Sequence, residues 1–269
     1  MASTIQPKEA TNARPAQGTA SPEELAHFSA MAEEWWDPHG KFRPLHKLNP
    51  TRLRFIRDQL IGHFERNPET DQPLKGLTLL DIGCGGGLLA EPMCRLGASV
   101  TGIDASEKTV GIASHHAAQS GLDIHYRCTV PEELAQGGET FDIVLNMEVV
   151  EHVADVGLFL AACKKLIKPN GAMVLSTINR TVKSLALAKI GAEYILRWLP
   201  AGTHDWRKFI RPSEITKELQ NTGLEITALE GMSYNPLTDK WSLSRDLDVN
   251  YLAVAVHQEF CGAFKFYWK

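Results

Sequence analysis

Residues 77–87 read LTLLDIGCGGG, a short apolar run that ends in a cluster of glycines. A nearly continuous apolar run of this length is typical of a strand buried on both faces, and the stretch LLAEPMCRLG that follows predicts a helix. A glycine-rich turn between strand and helix lets the backbone approach a ligand closely, at the edge of a parallel sheet where ligands bind. The stretch therefore predicts an α/β fold with a ligand site at this turn.

The sequence on either side of this turn repeats the same alternation of strands and helices. Further strands are predicted at ASVTGID (98–104), DIHYR (123–127), FDIVLNM (141–147), GAMVLSTI (171–178), LEITALEG (224–231) and NYLAVAVH (250–257). Helices are predicted over about 106–119, 155–166 and 213–222, so the fold class is α/β with a doubly wound parallel sheet. Residues 231–249 are rich in turn residues and show no helical period, which favours an antiparallel pair that closes the sheet.

Composition and length define the domain organisation. The first 20 residues are polar and lack the apolar segment of a signal peptide, so 1–20 is predicted to be a disordered tail. Residues 21–269 are predicted to be one domain: N-terminal helices over 22–66, a Rossmann-like core over 77–180 and 212–257, and an inserted helix over 182–200.

The net charge of -4 offers no electrostatic footprint for nucleic acid. Five cysteines without a C-x-x-C pair favour a reducing compartment.

The glycine loop itself indicates the class of ligand. A dinucleotide fingerprint beginning at Gly83 needs glycine at position 88, where this chain has Leu88, and Asp81 precedes the first glycine by two residues. A carboxylate there suits a cationic amino group and repels a pyrophosphate, which favours S-adenosylmethionine over NAD. Gly83 and Gly85 would then border the cofactor. Asp104 ends the second strand, where it either accepts both ribose hydroxyls or serves only as a turn acid.

Two carboxylates and an imidazole follow the fourth strand. If the chain turns helical after Met147, then Glu148, Glu151 and His152 share one helix face at the edge beside the glycine loop. Such a set can hold a divalent cation with open positions for substrate. The alternative is a solvated polar turn, and the residues alone do not choose between the two.

Seven motifs together resemble one enzyme family. They are WWDPHGKFRPLH (35–46), LNPTRL (48–53), LLDIGCGGGLLAEPM (79–93), NMEVVEHV (146–153), STINRTVKS (176–184), GAEYILRWLPAGTHDWRKFI (191–210) and VNY (249–251). They resemble the ubiquinone-biosynthesis O-methyltransferases, which methylate polyprenylated catechol precursors and demethylubiquinol, and the resemblance covers about residues 22–257. The glycine loop is generic to the superfamily, whereas the tryptophan pair and GAEYILR…GTHD are far more specific.

The resemblance implies a class I methyltransferase fold with seven strands, the last of them antiparallel. It implies that Arg52, Gly83, Asp104 and Met147 contact the cofactor, and a guanidinium at Arg52 suits the cofactor's carboxylate, unless Arg52 is an ordinary solvated helix charge. The E-x-x-E-H set is treated as a magnesium site in this family. An imidazole ligand suits manganese or zinc better than magnesium, so the site is predicted with the ion left open among these three.

The resemblance also implies a mechanism and a setting. A phenolate oxygen would attack the methyl group, with either a bound cation lowering the phenol pKa or Glu151 or His152 acting as general base. Residues 182–199 carry Lys189, Glu193 and Arg197 as one polar stripe, which indicates either a packed helix or a lid that shields the polyprenyl tail and contacts a membrane interface. A cytoplasmic bacterial enzyme is expected, with the inner membrane face and a complex with other ubiquinone enzymes left open.

Three other functions are alternatives to O-methylation in ubiquinone biosynthesis. An NAD-linked oxidoreductase shares the fold and Asp104, but the absent glycine at 88 and the presence of Asp81 argue against it. A non-catalytic cofactor-binding module is disfavoured by the intact glycine loop beside the E-x-x-E-H set. The third rival keeps methyl transfer but moves it to an oxygen or carbon of another small aromatic or lipid acceptor.

Overall fold

The computed structural model describes residues 18–21, 26, 32–186 and 206–258. Within them, one sheet has the strand order β3-β2-β1-β4-β5-β8-β6-β7. The strands are β1 Thr78–Ile82, β2 Ser99–Asp104, β3 Ile124–Cys128, β4 Phe141–Met147, β5 Ile167–Ile178, β6 Leu224–Asn235, β7 Lys240–Ser244 and β8 Asn250–His257. Strands β1 to β5 are parallel, and β8 runs antiparallel to both β5 and β6. The chain order reverses between β1 and β4, which places the ligand crevice of such a sheet at the glycine loop.

Helices cover both faces of the sheet. They are α1 Arg43–His63, α2 Ala90–Arg95, α3 Glu107–Gln119, α4 Pro131–Gln136, α5 Val156–Lys165, α6 Val182–Ser184 and α7 Pro212–Thr222. On one face α1 buries Phe55, Ile56 and Leu60 against the sheet, and on the other α5 and α7 bury the apolar residues of a second cluster. The sheet therefore lies between two apolar layers, which explains why its central strands are mostly apolar.

All seven predicted strands are confirmed, and so is the antiparallel last strand. The predicted strand count was wrong, because the described sheet has eight strands. The eighth, β7, lies in the segment interpreted as a turn-rich linker, where β6 continues to Asn235 and pairs with β7 as a hairpin. Trp241 and Leu243 on β7 pack against the apolar cluster under α1. This burial stabilises a short strand whose turn residues hide its periodicity.

The segment predicted to hold the N-terminal helices, 22–66, is described in part. Helix α1 begins at Arg43, with Pro44 in its first turn, and Pro50 lies inside the helix. A proline there removes one backbone hydrogen bond, and the apolar face of α1 against the sheet offsets that loss. The helix predicted to start at residue 22 falls largely outside the described residues, of which Ala32–Glu34 form a single 3-10 turn.

Residues 18–20 of the segment predicted to be a disordered tail contact the domain, and the tail itself stays a prediction. Thr19 is buried, its hydroxyl donates to Glu132 at 2.6 Å, and its carbonyl accepts from the backbone of Ala154 at 2.7 Å. Ala20 forms an antiparallel bridge with Val153. Backbone pairing needs no apolar side chains, so composition alone did not reveal this strap, which we define as residues 18–20. Residues 1–17 lie outside the described residues.

A membrane span is not found among the helices of the described ranges, since none is long and apolar enough. The inserted helix predicted over 182–200 is described only as far as residue 186, where α6 is followed by two further helical residues. The polar stripe of Lys189, Glu193 and Arg197 lies outside the described residues.

Candidate functional site

The predicted cofactor residues meet at the carboxyl edge of the parallel strands. Asp81 is the penultimate residue of β1, Asp104 ends β2, and Met147 ends β4. Strand β1 pairs with both β2 and β4, so these three positions lie side by side. Arg52 approaches the same edge from α1, where it is buried. The parallel register brings Asp81, Asp104 and Met147 together, and the packing of α1 adds Arg52, which is 95 positions from Met147 in the chain (52 to 147).

The glycine loop depends on backbone conformations that other residues rarely adopt. Gly83 and Gly85 have φ angles of +65° and +52°. A side chain at Gly83 would also meet Val149, since an added Cβ would lie 2.6 Å from a Val149 methyl carbon. Both predicted glycines are therefore required by conformation, and the contact with Val149 also leaves no space for a side chain at Gly83.

Asp104 is tied to the loop by its own carboxylate. One oxygen accepts from the backbone of Gly85 at 3.1 Å, and the other accepts from the backbone of Ser106 at 2.9 Å. Burial raises the pKa of Asp104, and these two hydrogen bonds oppose that shift. A carboxylate oxygen has more than one acceptor site, so each oxygen can still accept a ribose hydroxyl.

Asp81 is a buried carboxylate whose charge needs a partner. Burial, together with repulsion from Asp104, raises the pKa of Asp81 to about 7, and a hydrogen bond from the backbone of Ala90 opposes the shift. One of its oxygens is buried without a hydrogen-bond partner among the described residues. An ammonium group beside it would stabilise the ionised form, which is the chemistry predicted for the amino group of the cofactor.

Arg52 supplies the complementary buried cation. Burial lowers its pKa to about 10, with the charge of Glu151 opposing the shift, so the guanidinium stays protonated at neutral pH. Its terminal nitrogen donates to Glu148 in an ion pair. The interpretation of Arg52 as a solvated helix charge is wrong, because the residue is only 3% exposed.

Several other buried polar atoms around this edge have no hydrogen-bond partner among the described residues. They are Oδ1 of Asn49, Nε of Arg52, Oγ of Ser176 and the indole nitrogen of Trp35. Ser176 pairs with Met147 across β4 and β5, so it belongs to the same edge. Unpaired buried polar atoms are costly, and a polar ligand that satisfies them removes the cost. The residues present therefore fit the amino-acid end of S-adenosylmethionine.

The E-x-x-E-H set does not form the predicted helix face. Glu148 has a φ of +58°, so the chain turns sharply there, and only Val150–His152 form a 3-10 turn. A left-handed conformation is uncommon for a residue other than glycine and is often found at functional sites. The prediction of a shared helix face was wrong because Glu148 precedes the 3-10 turn that contains the other two residues.

The same three side chains do not offer a three-ligand metal site in this arrangement. Glu148 pairs with Arg52, and buried Glu151 accepts from the hydroxyl of Thr177 at 2.9 Å. No group of three histidine, cysteine or carboxylate side chains within the described ranges is arranged to hold a metal ion. A divalent cation (Mg, Mn or Zn) bound by this set stays a prediction.

Several residues that the sequence did not predict lie around the predicted site residues. Thr177 holds Glu151, Ser176 lies beside Met147, and Asn49 donates to the carbonyl of Leu88 at 3.3 Å. Ser176 and Thr177 lie near the carboxyl end of the fifth predicted strand, so the rule that ligands bind at this edge predicts them. Asn49 had no such signal, because only the packing of α1 brings it to the loop.

Comparisons with known proteins agree with this fold and site. The Methyltransferase domain family matches residues 51–229. A solved structure of magnesium protoporphyrin IX methyltransferase from Synechocystis, with bound SAH, superposes with a TM-score of 0.59 at 23% identity, covering 86% of this chain and 94% of that one. That likeness shows the fold alone. The fold and the matching domain define a class I, S-adenosylmethionine-dependent methyltransferase.

Closer relatives identify the family within this class. Ubiquinone biosynthesis O-methyltransferases from Sinorhizobium fredii and Parvibaculum lavamentivorans are each 58% identical over 240 residues, which is 89% of this chain and 97% and 95% of theirs. The chain therefore belongs to the ubiquinone biosynthesis O-methyltransferases.

Proposed function

We propose that this enzyme transfers the methyl group of S-adenosylmethionine to a phenolic oxygen of a polyprenylated catechol or demethylubiquinol in ubiquinone biosynthesis. The names of its relatives support the reaction. The observation that carries the proposal is the buried pair of opposite charges, Arg52 and Asp81, at the edge that also holds Glu151. The alternative acceptor is another small aromatic or lipid molecule, methylated at oxygen or carbon.

The two buried charges would orient the cofactor by its amino-acid end. Arg52 would hold the carboxylate and Asp81 the ammonium, while Asp104 would accept the ribose hydroxyls. When bound, S-adenosylmethionine supplies a methyl group on a positively charged sulfur. Three fixed attachment points align that methyl group with the acceptor oxygen, and such alignment provides much of the rate enhancement in a displacement reaction.

The chain also supplies a group that can take the phenolic proton. A phenol has a pKa near ~10, so most of it is un-ionised at neutral pH and needs a base. Glu151 is buried at the active edge and is held by Thr177, and His152 is its neighbour in the same 3-10 turn. We propose Glu151 as the base and keep His152 as the alternative, since both can accept the proton as the oxygen–methyl bond forms.

The position of the base can be tested by variants. Glu151→Gln keeps the size of the side chain and removes its charge, so it should lower turnover about a hundredfold or more while leaving SAH affinity near that of the wild type. Thr177→Val is the matched probe, because it removes only the hydrogen bond to Glu151 and should have a smaller effect. Full turnover in the Gln variant, with turnover lost in His152→Asn, would assign the base to His152.

The acceptor can be tested directly. Incubation with methyl-labelled S-adenosylmethionine and a short-chain polyprenyl catechol should give a labelled methyl ether, and catechol without a tail should react more slowly. Mass spectrometry of the product distinguishes oxygen from carbon methylation. Label on a ring carbon, or turnover only with acceptors that lack a phenol, would contradict the proposed reaction.

We also propose that residues 182–199 shield the polyprenyl tail and contact the membrane interface. The support is the sequence pattern of Lys189, Glu193 and Arg197 on an otherwise apolar stretch, together with the lipid nature of the proposed substrate. Lys189→Glu with Arg197→Glu should reduce flotation with anionic vesicles. Equal flotation of this variant and the wild type would contradict the contact. A complex with other ubiquinone enzymes stays a prediction.

A further inference from the structure

We propose that Trp35 and Trp36, which we define as the aromatic clamp, are positioning residues that fix the glycine loop for the cofactor. The inference rests on the proposed cofactor site. The clamp lies between the 3-10 turn Ala32–Glu34 and helix α1, and it reaches across about 50 residues of sequence to the loop. The tryptophan pair was a specific motif of the sequence, yet no step of the proposed reaction uses it.

Trp36 holds the loop by a hydrogen bond to its backbone. Its indole nitrogen donates to the carbonyl of Gly86 at 2.9 Å. The indole ring stacks on His116 of α3, with ring centroids 3.5 Å apart and planes 5° apart. Nδ1 of His116 lies 2.5 Å from a carboxylate oxygen of Glu91, a buried residue of α2. The orientation of the indole is therefore set by residues on two helices, one of which follows the loop directly.

Trp35 packs on the same part of the loop. A Cβ atom added at Gly85 or at Gly86 would lie 2.5 Å from the Trp35 side chain, so both positions must be glycine for the ring to fit. Phe42 stacks on the Trp35 ring, at 3.9 Å between centroids and 11° between planes. The glycines of the loop thus serve two purposes: they allow its conformation, and they make room for Trp35.

The clamp is connected to the proposed ribose-binding acid through two consecutive residues. Trp36 bonds to the carbonyl of Gly86, and the amide of the preceding Gly85 donates to Asp104 at 3.1 Å. These two hydrogen bonds hold the glycine loop and Asp104 in the conformation that binds the cofactor. Because the loop is already ordered, cofactor binding does not lose free energy to ordering it. Loss of the Trp36 bond should therefore weaken cofactor binding, although Trp36 need not touch the cofactor.

The test compares two tryptophans that make the same type of bond. Trp36→Phe keeps an aromatic ring against His116 and removes the donor to Gly86. Trp206→Phe is the matched control, because the indole of Trp206 donates at 3.0 Å to the carbonyl of Thr181, which is not part of the glycine loop. Calorimetric titration with SAH should show about three- to tenfold weaker binding for Trp36→Phe, the range expected for one hydrogen bond, and binding within about twofold of the wild type for Trp206→Phe.

Melting temperatures of the cofactor-free proteins separate positioning from stability. If Trp36 is only structural, both variants will lose melting temperature to a similar extent and SAH affinity will not change, which overturns the proposal. A wild-type affinity in Trp36→Phe overturns it as well. The variant Asp104→Ala distinguishes failure of the clamp from failure of the cofactor site. If SAH binds weakly to Asp104→Ala but normally to Trp36→Phe, only the proposed role of the clamp is overturned. If SAH binds normally to both variants, the proposed cofactor site is overturned.

Discussion

The pH dependence of cofactor affinity follows from the state of Asp81. Its pKa of about 7 in the free protein means that the carboxyl group is about half protonated at pH 7 and about nine-tenths protonated at pH 6. If the ammonium group of the cofactor pairs with the ionised form, binding at pH 6 must release the proton. The affinity for SAH should therefore fall about fivefold between pH 7 and pH 6, with about one proton released at the lower pH.

The assay is calorimetric titration with SAH at both pH values, in buffers of different ionisation enthalpy so that proton release is counted. Asp81→Asn is the control, since it is neutral at every pH and keeps all other titrating groups. It should bind SAH weakly and with little change between pH 6 and pH 7. The same fivefold change in Asp81→Asn and the wild type would refute the assignment, because another group would then carry the titration.

The same pKa has a consequence for stability, and its sign is opposite to the usual one for a carboxylate. The folded-state pKa is raised above the ordinary value of about 3.8, so the protonated form is favoured in the folded protein, and this stability is lost as the pH rises from about 4 to about 7. The rise in the pKa of Asp81 from about 3.8 to about 7 corresponds to about 4 kcal/mol as an order of magnitude. Asp81→Asn should therefore raise the melting temperature of the cofactor-free protein at pH 8 while it weakens binding. A lower melting temperature there would contradict the burial argument.

Further predictions concern the other parts of the site. Asp104→Ala should weaken SAH binding by about 2–4 kcal/mol, and an affinity within about threefold of wild type would remove Asp104 from the site. Deletion of residues 2–17 should leave melting temperature and turnover nearly unchanged, whereas deletion of 2–20 removes the strap and should lower both; equal behaviour of the two truncations would show that the strap does nothing. In the free protein Glu148 pairs with Arg52 and would compete with the cofactor carboxylate for the guanidinium, so SAH should bind more tightly to Glu148→Gln in calorimetry. Weaker SAH binding to this variant would contradict such competition. Treatment with EDTA, with metal removal verified, should abolish turnover but not SAH binding if the predicted cation is required; full turnover would sink the metal hypothesis.

The sequence determined the parts of this protein that depend on local pattern. Short apolar runs alternating with helical periods predicted the parallel strands and their order of appearance, because burial on both faces requires such runs. The loop around Gly83, flanked by Asp81 and followed by Asp104, predicted the class of cofactor, because conformation and charge are both properties of neighbouring residues. The family resemblance also predicted that Arg52 belongs to the same site.

Tertiary structure decided what depends on residues far apart in the chain. The eighth strand exists because α1 provides an apolar surface for Trp241, which no local period shows. The strap of residues 18–20 is bound by backbone pairing with Val153, and amino-acid composition does not predict such pairing. Glu148 left the predicted helix face because the chain turns there and Arg52 offers it a charge. In each case the deciding energy comes from burial or pairing between distant segments, which a sequence pattern does not encode.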